Sequence, residues 1–111
     1  MINSTKVSFS ENEVINITED LSFNLYGQYV LNKGEKSFLT LIENQLLLFF
    51  INNYNRRIFI DEIIDYMQDR SLCYSEQNLY VYISRLRKKI EEDTKNPQIL
   101  VNMRPGYIFC C

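Results

Sequence analysis

The chain has 111 residues, 46% hydrophobic and 23% charged, which suits one domain with a single core and excludes global disorder. Twelve lysines and arginines against fourteen acids give a formal net charge of −2, which excludes a polyanion binder that works through overall charge. Any nucleic-acid contact must be local, and the charge is indeed uneven: residues 1–55 hold three lysines against six acids, residues 56–111 nine cations against eight.

Residues 1–13 are polar and read as a flexible N-terminal segment, although KVSF could add an edge strand. From EVINI through LSFNLYGQYVLNKGEKSFL, β-branched and aromatic residues broken by Gly27 and NKGEK predict three or four short antiparallel strands within 14–40. TLIENQLLLFFINNYN then changes to helical spacing, with Ile42, Leu46, Phe49, Phe50 and Asn53 on or near one side. Thr40 followed by Glu43 is a T-x-x-E capping box, in which hydroxyl and carboxylate satisfy orphan N–H groups reciprocally. RRIFIDEIIDYMQD predicts a short strand at RIF and a second helix, with Ile63, Ile64, Tyr66 and Met67 as its apolar contacts. RSLCYS is a loop whose Ser75 caps a third helix over roughly 76–92. That helix carries Leu79, Ile83, Leu86 and Ile90 in the i, i+4, i+7, i+11 pattern of a core-facing seam. TKNP stops it, because proline cannot continue a helix. QILVNMRPGYIF reads as a two-stranded hairpin over 98–109 with its turn at Arg104-Pro105-Gly106.

The third helix gathers Arg85, Arg87, Lys88 and Lys89 into six residues. At about 100° per residue, Asn78, Tyr82, Arg85 and Lys89 fall within an arc of about 60°, flanked by Val81 and Lys88 and centred away from the apolar seam. These residue types suit a major groove. Arginine forks onto guanine and asparagine onto adenine, tyrosine and lysine serve phosphates, and valine meets a thymine methyl. A solvated face with Arg85, Lys88 or Lys89 paired to nearby acids is the plain alternative. The element order, however, is that of an α+β winged helix-turn-helix: N-terminal antiparallel sheet, three helices over 41–92, and a C-terminal β-hairpin wing bearing Arg104.

The segment YISRLRKKIEEDTKNPQILVNMRPGYIF resembles the C-terminal half of the OmpR/PhoB-type winged-helix DNA-binding domain. FLTLIENQLLLFFINN and RIFIDEIIDYM are similar to that family's first and second helices, so the resemblance spans roughly residues 21–109. It implies a sequence-specific transcription regulator of bacterial type whose partner is double-stranded promoter DNA. By residue, it implies that Asn78, Tyr82 and Arg85 face bases or nearby backbone, that Lys88 and Lys89 meet phosphate, and that Arg104 sits at the wing tip, with Val81 beside them from its residue type alone. The loop holding Asp69, Arg70, Ser71, Leu72 and Tyr74 corresponds to a segment that some members use to touch RNA polymerase. Phe59 stands where the family places a capping serine, and Tyr80 and Tyr82 replace its usual aspartate and histidine. Arg87 points away from the DNA-facing arc and reads as a structural ion-pair partner.

Within the family, NMRPGYIF is most similar to the wing of ToxR-like activators, and an initiator-like Met1 leads to the expectation of no receiver domain ahead of this one. That branch implies the cytoplasmic domain of a membrane-tethered protein, at the inner face of the membrane and joined to it by a segment absent from this chain. A short full-length protein is the other possibility. The longest apolar run, LLLFFI, is far below the ~20 residues that cross a bilayer, and the N-terminus is too polar for a signal peptide, so a cytoplasmic chain is expected. A second functional reading is an interaction module that binds a partner regulator, a second copy of itself or polymerase, with little DNA affinity of its own. Catalysis finds no footing: there is no histidine and no phosphate-binding glycine loop. Cys73, Cys110 and Cys111 lack the spacing of a zinc site or disulfide framework, so neither cofactor nor metal is expected.

Overall fold

The computed structural model describes residues 14–72 and 75–110, so the expectations for the N-terminal segment, Cys73, Tyr74 and Cys111 lie outside the described residues. Four strands open the chain: β1 (Ile15–Asn16), β2 (Leu21–Asn24), β3 (Tyr29–Asn32) and β4 (Glu35–Phe38), paired antiparallel in that order. The β3–β4 turn is Lys33-Gly34, both at positive φ, which is the backbone a tight two-residue hairpin requires. Cross-strand partners Phe23 and Val30 are both fully buried, and they fix which face of this sheet meets the core.

Helix α1 (Leu41–Asn52) begins with the full capping box: the Glu43 N–H donates to Thr40 Oγ1 at 3.2 Å and the Thr40 N–H to Glu43 Oε1 at 2.9 Å. Its core contribution is broader than one stripe. Leu46, Leu47, Phe50 and Ile51 are buried, whereas Ile42 and Phe49, expected on the main face, are half-buried. The helix packs against both the third helix and the last strand, which is why LLLFFI is apolar on two sides.

Strand β5 (Arg57–Phe59) leads into α2 (Ile60–Gln68). Phe59 has no oxygen with which to cap α2, so only the reciprocal half of the capping box exists: the Phe59 N–H donates to Glu62 Oε2 at 2.9 Å. That hydrogen bond first, and the Arg56 guanidinium second, hold the Glu62 carboxyl below the ordinary carboxylate range. A further orphan donor at this end, the Ile60 N–H, reaches the Pro105 carbonyl at 3.1 Å.

Helix α3 (Glu76–Ile90) starts where expected, with Ser75 Oγ accepting the Asn78 N–H at 3.2 Å. Leu79, Ile83, Leu86 and Ile90 are all buried, each contributing about 1.5–3 kcal/mol by leaving water. The helix ends before Glu91, earlier than the expected boundary at 92 and ahead of TKNP. Glu91 turns to extended backbone because its buried carboxylate is committed elsewhere: it accepts the N–H groups of Gln98, Ile99 and Leu100 at 2.7–3.1 Å.

The terminal hairpin of β6 (Leu100–Asn102) and β7 (Gly106–Phe109) is not isolated: β5 pairs with β7, giving a three-stranded sheet in the order β5-β7-β6. The peptide between Arg104 and Pro105 is cis. Gly106 lies so close to β5 that an added Cβ would stand 2.1 Å from the Ile58 carbonyl oxygen. Phe50 of α1 and Phe109 of β7 stack with ring centroids 6.1 Å apart, which joins this sheet to the helical core.

Candidate nucleic-acid interface

The two faces of α3 do different work. Opposite the buried seam, Asn78, Val81, Ser84, Arg85 and Lys88 are exposed; Val81, an apolar residue, is 45% exposed. The last turn carries Arg87, Lys88 and Lys89, a placement that complements the negative end of the helix dipole. Among the described residues the ion pairs are Lys33–Glu92, Arg56–Glu62 and Lys89–Glu43; Arg85 and Lys88 pair with no carboxylate. Their charges are therefore free to meet an outside partner.

Lys89 and Tyr82 are not part of that free face. The Lys89 ammonium lies 2.6 Å from Glu43 Oε1 and 2.7 Å from the Phe38 carbonyl oxygen, and its own backbone carbonyl accepts from Asn32. The Glu43 side chain is only 3% exposed, so the carboxylate that caps α1 also needs a cation, and Lys89 supplies it. Tyr82 is half-buried and packs against the core. The arc drawn at Asn78, Tyr82, Arg85 and Lys89 thus divides. Asn78 and Arg85 join Val81 and Lys88 outside, while Tyr82 is half-buried against the core and Lys89 is held by β4 and α1.

Arg87 is structural, but not as an ion-pair partner. Its Nε and Nη2 donate to the Leu100 carbonyl at 3.0 and 2.7 Å, Nη2 also reaches Asn102 Oδ1 at 3.1 Å, and the guanidinium lies 5.5 Å from the Tyr107 ring centroid. Burial pushes this arginine down from its ordinary range, with Tyr107 and Glu91 opposing; burial likewise pushes the Tyr107 hydroxyl up, with Arg87 opposing. The sequence offered no sign of a carbonyl partner, because Arg87 and Leu100 meet only once the wing folds back on α3.

Between α3 and the wing lies an open cleft of about 680 Å³, lined among others by Tyr80, Ser84 and Arg87 on one side and Asn102, Arg104 and Tyr107 on the other. Arg104 is exposed at the wing tip, across this cleft from α3. The cations that line the cleft are Arg87 and Arg104, whereas Arg85 and Lys88 lie on the exposed face of α3 outside its lining.

The loop after α2 is distinct from that surface. Asp69, Arg70 and Ser71 are exposed and Leu72 is half-buried against the core, with Ser71 at φ 58°. Arg70 folds back onto α2: its guanidinium carbon is 3.7 Å from the Tyr66 ring centroid and Nη1 donates to the Tyr66 carbonyl at 3.1 Å. Among the described residues there is no group of three or more His, Cys, Asp or Glu arranged to hold a metal, and no helix is long and apolar enough to cross a membrane.

Sheet, three helices and wing, with a cationic third helix, define an OmpR/PhoB-type winged-helix domain. Residues 34–109 match the family described as "Transcriptional regulatory protein, C terminal", and the chain belongs to that family. The family consists of response-regulator-type transcription-regulator domains, which are not enzymes. The transcriptional regulatory protein AruR of Pseudomonas aeruginosa is 31% identical over 77 residues, covering 68% of this chain and 32% of AruR. The uncharacterized transcriptional regulatory protein YcbL of Bacillus subtilis is 36% identical over 90 residues, covering 80% of this chain and 39% of YcbL. The chain thus spans 32% to 39% of the length of these relatives. In fold it is similar to the response regulator DrrB of Thermotoga maritima, with TM-score 0.75, 24% identity and 88% of this chain covered against 44% of that one. It is similar also to the RstA DNA-binding domain of Klebsiella pneumoniae, solved in complex with the RstA box, with TM-score 0.73, 22% identity, 89% of this chain and 98% of that one.

Proposed function

We propose that this domain binds double-stranded promoter DNA sequence-specifically, with α3 in the major groove and the wing on an adjacent groove or its backbone. The observation that carries the reading is the freedom of Arg85 and Lys88: both are exposed, neither is neutralised by a carboxylate, and Asn78 and Val81 stand beside them. Membership of the family supports it, as does the RstA domain, which shares the fold and is held on its RstA box. Asn78 and Arg85 read base edges, Val81 meets a thymine methyl, and Lys88 and Arg104 hold phosphates. Tyr82 and Lys89 support the helix from its flank.

The test is a titration of the chain on promoter fragments by anisotropy. With Lys88 and Arg104 as the phosphate-neutralising cations, raising salt from roughly 50 to 200 mM weakens binding about twelvefold by counterion release. Arg85→Ala costs ~1–3 kcal/mol and relaxes preference at one base pair. Unchanged affinity for Arg85→Ala removes the base-reading role of that residue. No DNA binding at low salt, beside a measurable complex with a second regulator or RNA polymerase, favours the interaction module instead. For polymerase, Asp69 and Ser71 are the free side chains of the 69–72 loop, since Arg70 is held on Tyr66 and Leu72 packs inward.

The sequence NMRPGYIF supports one finer reading, that the domain belongs to a ToxR-like, membrane-tethered activator. The coding sequence beyond Cys111 tests it, because a tether requires an apolar stretch of ~20 residues there.

A further inference from the structure

We propose that Arg87 is the positioning residue that locks the wing against α3, so that Arg104 and the free face of α3 meet a duplex as one rigid unit. The proposal rests on the DNA-binding reading above but turns on a residue that reading leaves unused. Arg87 alone among the cations of the 84–89 cluster turns toward the wing: Arg85 and Lys88 face solvent and Lys89 is held by Glu43.

The grip falls at a telling place. Asn102 and Tyr107 are cross-strand partners, the last pair of the β6–β7 ladder before the turn that carries Arg104. The Arg87 guanidinium binds Asn102 Oδ1 from one strand and lies over the Tyr107 ring of the other, while two of its donors hold the Leu100 carbonyl. Both strands are therefore fixed to α3 at the base of the turn. From the opposite side the Pro105 carbonyl is tied to the first N–H of α2, and the Met103 N–H closes the turn onto the Gly106 carbonyl at 2.9 Å. Without Arg87 the hairpin keeps its pairing to β5 and the Glu91 hold on Leu100, but Asn102 and Tyr107 at the base of the turn lose their tie to α3, and the open cleft beneath lets the tip move. A lysine cannot replace it, because one ammonium lacks the planar fork that reaches carbonyl, amide and ring together.

The test compares the whole chain with Arg87→Lys and Arg87→Met, each alone and combined with Arg104→Ala. One readout needs no DNA: backbone amide order parameters of the wing tip, with far-ultraviolet circular dichroism to show that each variant is folded. The tip amides are expected to be rigid in the parent and to fall toward the flexible range, below about 0.6, in both Arg87 variants. The second readout is a double-mutant cycle on DNA. Loss of one phosphate contact at about 0.15 M salt costs roughly fivefold, so Arg104→Ala weakens the parent about that much. In the Arg87→Met background the same change has little further effect, because the tip is no longer held in place. Fivefold loss from Arg104→Ala in both backgrounds, or a wing tip equally ordered with and without Arg87, overturns the proposal and leaves Arg87 as a general stabiliser. A parent chain that binds no promoter fragment defeats the DNA-binding reading instead, while the order parameters still decide the role of Arg87. If Arg87→Met fails to fold, Arg87→Lys carries both readouts.

Discussion

Replacing Lys89 with methionine separates an internal cation from a DNA-facing one. The change keeps the apolar stem and removes the ammonium that stands 2.6 Å from Glu43. Glu43, at 3% side-chain exposure, is then a buried carboxylate whose remaining partner is the Thr40 N–H. Losing one member of a fully buried pair costs about 3–5 kcal/mol; water partly compensates here because Lys89 is 27% exposed, so about 2–3 kcal/mol is expected. For a domain of this size that lowers Tm by about 10 °C. DNA binding behaves differently. The dependence of log affinity on log salt keeps its slope in Lys89→Met, whereas Lys88→Ala flattens it by about 0.9 while Tm barely moves. Glu43→Gln completes the set, weakening the same pair from the acid side without touching any cation. Should Lys89→Met flatten the salt slope like Lys88→Ala and leave Tm unchanged, the internal assignment is wrong and Lys89 belongs to the interface.

Other predictions concern the frame that holds this face. Glu91→Gln turns an amide donor toward the N–H groups of Gln98, Ile99 and Leu100, and is expected to cost about 2–3 kcal/mol in urea unfolding; a change under about 0.5 kcal/mol refutes the cap. Gly106→Ala drives a methyl into the Ile58 carbonyl and is expected to lose about 3 kcal/mol or more, with fast amide exchange in β7; near-parent stability refutes the close approach. Glu62 has a folded-state pKa below its unfolded value of 4.5, so its contribution is present above about pH 4.5 and lost as pH falls through the lower folded value. Glu62→Gln should therefore narrow its gap to the parent as unfolding is measured at pH values below 4.5; a gap constant with pH refutes the linkage.

Local signals in the sequence were dependable wherever the interaction that decides them is itself local. The Thr40–Glu43 box, the Ser75 cap, the Lys33-Gly34 turn and the Leu79–Ile90 seam each depend on residues a few positions apart, and each formed as read. Misreadings fall where partners are distant. Lys89 looked like an outward cation because Glu43, 46 positions away, was fully explained by its capping role. Arg87 looked like one half of an ion pair because side-chain charge is visible in sequence and a backbone carbonyl is not. The third helix ended early because Glu91 is drawn to N–H groups seven to nine residues ahead, a use its spacing does not reveal. The RIF strand was visible but its partner was not, since β5 and β7 lie some 50 residues apart and only the closed sheet unites them.

That sheet also sets when the molecule can be completed. The strand entering α2 finds its neighbour only in the closing residues of the fold, and Phe109 supplies the ring that stacks on Phe50. During synthesis the helices must wait, greasy faces open, until the final strand clears the ribosome. A transcript cut short before Gly106 would thus yield not a smaller regulator lacking a wing, but a chain left for proteases and chaperones.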